Sequence, residues 1–186
     1  FIVASRRYND GVTTTPILAT KLYPPPPRAE LLARTRLLQR LNQGLDSKLT
    51  LLSAPAGFGK STLASAWLAT LADGNAGRVG TAWLALDKDD ATPHRFLSYL
   101  LAALQKVDAV IGADSMAQLQ SGQPPPVNQL LIELVNALSR RQEKIVLALD
   151  DYHAVDAPAI DEALAFLLDH QPSQLHLLVT TREDPR

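Results

Sequence analysis

Cysteine, a sizeable net charge and long apolar runs are all missing from this sequence of 186 residues. Without cysteine the chain has no disulfide framework and no thiolate metal site. The formal net charge of −1 gives no indication that this segment binds nucleic acid by itself. No apolar run approaches a membrane span, and residues 1–7 are too short and too quickly charged for a signal peptide. The expected location is therefore the cytoplasm.

The composition and the first residue indicate an excised globular domain. Apolar residues make up 46% of the chain and charged residues 20%, which is ordinary for a globular protein. The length suffices for one good core but not for two ordinary domains. Because the chain begins with Phe1, we expect a fragment of a longer protein. Residues 1–20 are interpreted as a loosely held leader and residues 21–186 as the domain.

The stretch KLTLLSAPAGFGKSTLASAWLATL, residues 48–71, organises the rest of the chain. Its pattern predicts a buried strand at residues 49–53, a glycine-rich loop at residues 54–60 and a helix at residues 61–71. Strand, loop and helix in this order are the context of a phosphate-binding loop. The stretch follows the pattern G-x-x-x-x-G-K-[ST] except at Ala54, which replaces the usual first glycine and is small enough to follow a strand.

The residue types in this loop suit the binding of a nucleotide triphosphate. Gly57 and Gly59 lack Cβ, so the backbone can adopt positive φ and approach the phosphates closely. Backbone N–H groups there and at the helix N-terminus can form an anion nest. Lys60 supplies a mobile charge for the β- and γ-phosphates, and Ser61 places a hydroxyl where Mg²⁺ would bind. The nucleotide-binding residues predicted in the loop are Ala56, Gly57, Phe58, Gly59, Lys60, Ser61 and Thr62.

A second signature is the apolar run IVLALDD at residues 145–151, which ends in two acids. As a buried parallel strand it would carry both acids to the carboxyl edge of the sheet, where ligands bind in open α/β folds. Asp150 would hold Mg²⁺ through its water shell, alongside Ser61. Asp151 would orient or deprotonate the attacking water. The alternative is a strand that is capped by two solvated acids.

A further strand, predicted at residues 175–180, is followed by Thr181 and Arg182 at the same edge. A hydroxyl and a guanidinium there can sense the γ-phosphate, and the arginine can stabilise charge during phosphoryl transfer. The alternative is a charged strand end. Among the histidines only His153 lies near this site, where a structural role is favoured over catalysis, and His176 is predicted to face outward from its strand.

The remaining pattern alternates helices and strands. Apolar spacing predicts helices at residues 29–44, 93–107, 127–141 and 157–169 and a strand at residues 81–86. No clear element is predicted at residues 108–126. Asp87, Asp89 and Asp90 lack the glycine and the distal glutamate of a calcium loop, so we interpret them as a charged loop that opens the next helix. The segment KLYPPPPR, residues 21–28, must be extended, either as a linker or docking peptide or as a strap across the nucleotide site.

This order of elements predicts an α/β fold, a three-layer P-loop NTPase with a parallel sheet of at least four strands and helices on both faces. The order of signatures resembles the signal-transduction ATPases with numerous domains (STAND), relatives of the AAA+ proteins. In more detail the chain resembles the N-terminal ATPase domain of LuxR-type large ATP-binding transcriptional regulators, the MalT-like group, over roughly residues 18–186. Six blocks in order carry this resemblance: KLYPPPPR, RTRLLQRL, LTLLSAPAGFGKSTLASAWL, TAWLALDKDDATPHRFLSYLLAAL, LALDDYH and LLVTTREDPR.

The resemblance implies a site and a topology that the residues alone do not show. The nucleotide should be ATP or ADP with Mg²⁺. Arg34 or its neighbours should contact the base or ribose, whereas the residues alone favour a solvated surface arginine, and Arg182 matches the sensor arginine of the family. The sensor strand should lie between the phosphate-loop strand and the Asp-Asp strand. The chain should end before a fifth strand, which leaves residues 49–53 as an exposed edge unless the leader or another copy covers them.

The function implied is that of a nucleotide-dependent switch. ADP would hold the full-length regulator off, ATP would permit self-assembly, and slow hydrolysis would reset it. Winged-helix, helical-repeat sensor and DNA-binding helix-turn-helix modules would follow outside these residues, and DNA would be bound only through the last of them.

Features of the sequence disfavour three alternatives to the switch. A small-molecule kinase or other turnover NTPase would need a second substrate pocket and a basic lid, yet residues 108–126, the only candidate lid, contain no arginine or lysine. Intact Lys60, Ser61, Asp150 and Asp151 argue against a non-catalytic module with a degenerate loop. The balanced charge disfavours a DNA-translocating motor.

Overall fold

The structure, a computed structural model, describes residues 16–26, 35–73 and 79–182. Four strands lie in these ranges: β1 (Leu49–Ser53), β2 (Gly80–Ala85), β3 (Ile145–Asp150) and β4 (Leu175–Thr181). The helices are α1 (Thr35–Gln43), α2 (Lys60–Asp73), α3 (Pro93–Leu104), α4 (Ala113–Leu119), α5 (Val127–Ser139) and α6 (Pro158–Asp169). Short 3-10 turns occupy Ala19–Leu22, Lys88–Asp90 and Tyr152–Ala154.

The four strands form one parallel sheet in the order β1-β4-β3-β2. The sensor strand β4 therefore lies between the phosphate-loop strand β1 and the Asp-Asp strand β3, as the resemblance predicted. Every residue of β3 and β4 is buried, which matches their nearly continuous apolar sequence. Among the described strands β1 is at the edge, with Leu51 39% exposed, so the predicted exposed edge is confirmed.

Alternate residues of the central strands face two separate apolar clusters. Val146 and Ala148 pack with Trp67 and other side chains of α2 on one face of the sheet. Leu147 and Leu149 lie in the larger cluster on the other face, which α3, α5 and α6 cover. This arrangement is the three-layer α/β fold that the sequence predicts.

Two predictions for the first half of the chain need correction. Lys21 and Leu22 lie in a 3-10 turn and not in extended chain, and Asp90 is fully buried, which its interpretation as part of a charged loop did not anticipate.

Two predictions for the second half of the chain are wrong. The stretch at residues 108–126 contains the helix α4, which Gly112 precedes in a left-handed conformation with φ of 62°. His176 does not face outward but is fully buried, because β4 is an inner strand that is covered on both faces. Its Nδ1 lies 2.8 Å from the carbonyl oxygen of Ser47, and its ring meets the edge of Trp67 with the centroids 5.8 Å apart.

The described part of the proline segment, residues 21–26, is called the strap below. It lies over the flank of the sheet, where Leu22 is buried in the larger cluster and the carbonyl oxygen of Pro25 accepts a hydrogen bond from Ser65 of α2. The segment is therefore attached to the domain. None of the helices in the described ranges is both long and apolar enough to cross a membrane.

Candidate functional site

The loop between β1 and α2, residues 54–60, has the backbone that a phosphate-binding loop requires. Gly57 has φ of 83° and Gly59 φ of 77°, a region that residues with a Cβ rarely adopt. A Cβ at Gly57 would meet no atom within 4 Å, so it is the backbone angle that requires glycine there. The carbonyl oxygen of Gly59 accepts the N–H of Leu63 at 2.9 Å, so α2 begins directly from the loop. The free N–H groups of its first turn therefore lie beside the loop.

The Lys60 ammonium is held over this loop. Its Nζ donates hydrogen bonds to the carbonyl oxygens of Ala54, at 2.6 Å, and Pro55, at 3.1 Å. Ala54 also donates its N–H to the carbonyl oxygen of Thr181 at 3.3 Å, so the first loop residue continues the pairing of β1 with β4. The alanine at this position is thus compatible with the loop conformation.

Three elements meet at the carboxylate of Asp150. Its Oδ1 accepts a hydrogen bond from Ser61 Oγ at 2.8 Å and another from Thr180 Oγ1 at 2.6 Å. Ser61 lies in the first turn of α2, Asp150 ends β3 and Thr180 is near the end of β4. The sequence motifs predicted the contact between Ser61 and Asp150. They did not single out Thr180, since the hydroxyl at this edge was assigned to the next residue, Thr181.

The Asp150 carboxyl group is 6% exposed, and its environment changes its acidity. Burial raises the pKa of Asp150 above its ordinary value of 3.8, and the nearby charge of Asp151 acts in the same direction. The hydrogen bonds from Thr180 and Ser61 oppose this shift without cancelling it. Removing water from the carboxylate is therefore the dominant effect, and a bound cation would offset it.

Asp151 follows β3 in an unusual conformation. It has φ of 57°, the one positive φ among the described residues other than glycine. Its N–H donates to Thr180 Oγ1 at 3.0 Å, and its side chain is 47% exposed. His153 Nδ1 lies 3.9 Å from Asp151 Oδ1, which is an ion-pair distance and too long for a hydrogen bond. The backbone turn thus points the second acid away from the strand, toward solvent at the carboxyl edge.

The remaining predicted site residues are only partly located. Arg182 follows β4 at the same edge and is exposed, next to Thr181, which pairs with Ser53 of β1. Ala56 and Phe58 are exposed on the loop, and Thr62 is half-buried in the first turn of α2. Arg34 lies outside the described residues, so its proposed contact with the base stays a prediction.

Comparison with known proteins identifies the family of this chain and structures that share its fold. Residues 28–180 match the model of a family described as AAA ATPase domain. The chain is 35% identical over 170 residues to the HTH-type transcriptional regulator MalT of Cronobacter sakazakii (strain ATCC BAA-894), a match that covers 91% of this chain and 18% of that protein. The MalT of Serratia proteamaculans (strain 568) is 36% identical over 169 residues, with the same shares covered. The chain thus spans 18% of the length of these curated relatives, and the resemblance to MalT-like ATPase domains is confirmed.

Two solved structures share the fold. Cdc6p from Pyrobaculum aerophilum superposes with a TM-score of 0.59 at 14% identity and covers 90% of this chain and 44% of its own. The Aeropyrum pernix Orc1 protein, solved in complex with DNA, has a TM-score of 0.55 at 20% identity and covers 82% of this chain and 40% of its own. At these identities the likeness concerns the fold alone.

Proposed function

The chain belongs to the AAA ATPase domain family, and from this premise we propose that it is the ATP-binding, slowly hydrolysing switch domain of a bacterial transcriptional regulator. The observation that carries the proposal is the cluster of Ser61, Asp150 and Thr180, in which both hydroxyl oxygens lie within 2.8 Å of Asp150 Oδ1. It joins the phosphate loop, the acidic strand and the sensor strand at one point. A structural turn with a surface lysine would not bring these three elements together.

The oxygens at this point fit a bound Mg²⁺. Ser61 and Asp150 offer a hydroxyl and a carboxylate oxygen, which are hard ligands of the kind that Mg²⁺ prefers. No group of three or more His, Cys, Asp or Glu side chains suited to a metal occurs among the described residues. A cation held by one or two protein oxygens plus substrate phosphates agrees with that finding. When bound, Mg²⁺ would neutralise part of the charge on the β- and γ-phosphates.

The other residues of the site have distinct roles in this proposal. The N–H groups of residues 57–62 bind the phosphates, and Lys60 exchanges its contacts with the loop carbonyls for phosphate oxygens. Asp151, turned toward solvent by its positive φ, orients or deprotonates the attacking water. Arg182 extends from the end of β4 to the γ-phosphate and stabilises the charge that develops there.

A switch requires contacts that differ between ATP and ADP. The γ-phosphate, read by Lys60 and Arg182, supplies that difference. In the full-length protein we propose that ADP holds the closed state, that ATP permits self-assembly in the cytoplasm, and that hydrolysis resets the cycle. The MalT relatives are named as transcriptional regulators of the helix-turn-helix type, so DNA binding is assigned to regions outside these residues.

Nucleotide content and binding test the proposal. The purified domain is denatured, and the supernatant is run on an anion-exchange column; co-purifying ADP is expected. Lys60→Ala should lose this ADP and should show no calorimetric binding of ATP or ADP with Mg²⁺, because the charge that meets the phosphates is gone. Lys88→Ala, which removes an exposed lysine from another turn, is the matched control and should retain binding. A correctly folded wild-type domain that binds neither nucleotide would contradict the proposed function.

A further inference from the structure

The strap is attached to the domain by an ion pair that is almost completely buried. Lys21, 7% exposed, forms ion pairs with Asp90 at 2.5 Å and with Asp87 at 2.9 Å. Asp90 is fully buried and also meets Arg95 Nε at 3.3 Å. Burial lowers the pKa of Lys21, but the hydrogen bonds and charges of the two aspartates outweigh it and raise the pKa above 10.5. Because an unpaired charge in the interior is strongly unfavourable, Lys21 holds the strap at this point.

A second attachment lies four residues further along the strap. The carbonyl oxygen of Pro25 accepts a hydrogen bond from Ser65 Oγ at 2.8 Å, and Ser65 is 6% exposed. Ser65 is one helical turn after Ser61 on α2. This end of the strap is therefore fixed to the helix that begins at the phosphate loop.

The two attachments lie on opposite sides of the candidate site, one near the strand that ends in Asp150 and the other on the helix that carries Ser61. Asp87 and Asp90 follow β2, whose last residue pairs with Asp150, and the N–H of Leu86 donates to the carbonyl oxygen of Asp150 at 2.9 Å. The other attachment is on α2, which carries Ser61. The two sides of the site already meet through the Ser61–Asp150 hydrogen bond and through Trp67 of α2, which packs against Val146 and Ala148 of β3. The strap adds a further bridge on the flank of the sheet, between α2 and the turn that follows β2.

We propose that the strap is a nucleotide-responsive clamp and that Lys21 is its positioning residue. Ser61 and Asp150 would hold nucleotide with Mg²⁺, so binding would favour one spacing of α2 and the end of β3, and the docked strap supports that spacing. Docking of the strap and binding of nucleotide therefore strengthen each other. This inference rests on the proposed function in one respect: nucleotide must bind at the phosphate loop.

Thermodynamic linkage makes the clamp measurable from either side. The factor by which docking tightens ADP binding equals the factor by which bound ADP stabilises docking. Because the chain contains no cysteine, a single introduced thiol reports strap opening without background. Leu22 belongs to the strap and is 6% exposed because its side chain packs into the larger cluster, so the Leu22→Cys thiol is labelled only when the strap lifts. Saturating ADP with Mg²⁺ should slow its labelling about tenfold, within the usual range of such coupling.

Removing the ion pairs of Lys21 should reveal the same coupling factor. In the Leu22→Cys background, Lys21→Met should speed labelling of the thiol. It should also weaken ADP binding by up to about tenfold, the factor by which ADP slows labelling in the wild-type strap. Lys21→Arg should restore most of both effects. Lys88→Met, a matched loss of an exposed lysine beside Asp90, should change neither. If Lys21 served only to stabilise the fold, Lys21→Met would lower the melting temperature, and ADP would not change the labelling rate of the wild-type strap.

The outcomes separate this inference from the proposed function. If wild-type protein binds no ADP, the proposed function fails. If it binds ADP but the labelling rate is the same with and without ADP, the clamp is refuted even where Lys21→Met cannot be purified. Ser65→Ala provides a milder test from the other attachment, and unchanged ADP affinity together with unchanged labelling in that variant would also count against the clamp.

Discussion

Replacing Thr180 with valine tests the geometry of the site most directly. Thr180 is fully buried, and its hydroxyl both donates to Asp150 Oδ1 at 2.6 Å and accepts the N–H of Asp151 at 3.0 Å. Valine has the same shape, so the substitution leaves no cavity and removes only the two hydrogen bonds. The first bond is to the carboxylate of Asp150, and loss of the second leaves the backbone N–H of Asp151 without its partner. Losses of this kind are worth roughly 1–3 kcal/mol each, so Thr180→Val should lower the free energy of unfolding by about 2–6 kcal/mol.

Urea denaturation followed by circular dichroism measures this loss. With a slope of about 2 kcal/mol per molar urea, the midpoint should fall by roughly 1–3 M. Thr81→Val, at a half-buried position of β2, is the matched control and should stay within about 0.5 kcal/mol of wild type. A Thr180→Val midpoint equal to that of wild type would show that the hydroxyl does not hold the two acids, and the arrangement of Asp150 and Asp151 would need another explanation.

Two further predictions concern pH. Burial lowers the pKa of His176 below its ordinary value of 6.5, so the folded state binds fewer protons than the unfolded state just below that pH. Wild type should therefore lose more stability than His176→Leu in thermal unfolding between pH 7 and pH 5, and equal losses would contradict the buried neutral ring. Hydrogen bonds lower the pKa of Glu133 below its ordinary value of 4.5, and the bond from Ser115 has a larger effect than the bond from Gln129. The carboxylate therefore contributes to the free energy of unfolding above pH 4.5, and this contribution is lost as the pH falls through the pKa of the folded state. The free energy of unfolding of wild type should exceed that of Glu133→Gln by less on acidification, and a constant difference would contradict the prediction.

The sequence predicted the phosphate loop and the Asp-Asp strand well because each signal is local. Each signal combines a short apolar run with small or acidic residues in a fixed order, at residues 49–60 and 145–151. Such a pattern can be recognised without knowing which strands are neighbours in the sheet. The position of β4 between β1 and β3 was predicted from the resemblance, since periodicity does not encode which strands become neighbours, and the place of β2 beside β3 was not predicted.

The errors have equally physical causes. His176 lies in an inner strand, so the alternation of inward and outward residues that suits a half-exposed strand does not apply. Helix α4 has seven residues, too few for a clear helical period. Asp90 was interpreted as part of a charged loop because its partner Lys21 is 69 residues away, and no local pattern reports that distance.

The strand before the phosphate loop and the strand that ends in Asp150 differ in how firmly they are held. Among the described residues β1 is hydrogen-bonded on one side only, whereas β3 has neighbours on both sides and all six of its residues are buried. Local opening is cheapest where backbone pairs are few and exposed, so the edge strand can open while the interior strand stays formed. In the proposed function, recognition of phosphate would therefore depend on the more deformable part of the molecule and hydrolysis on the more rigid part. The loop can adapt to an arriving ligand while Asp150 and Asp151 keep their places.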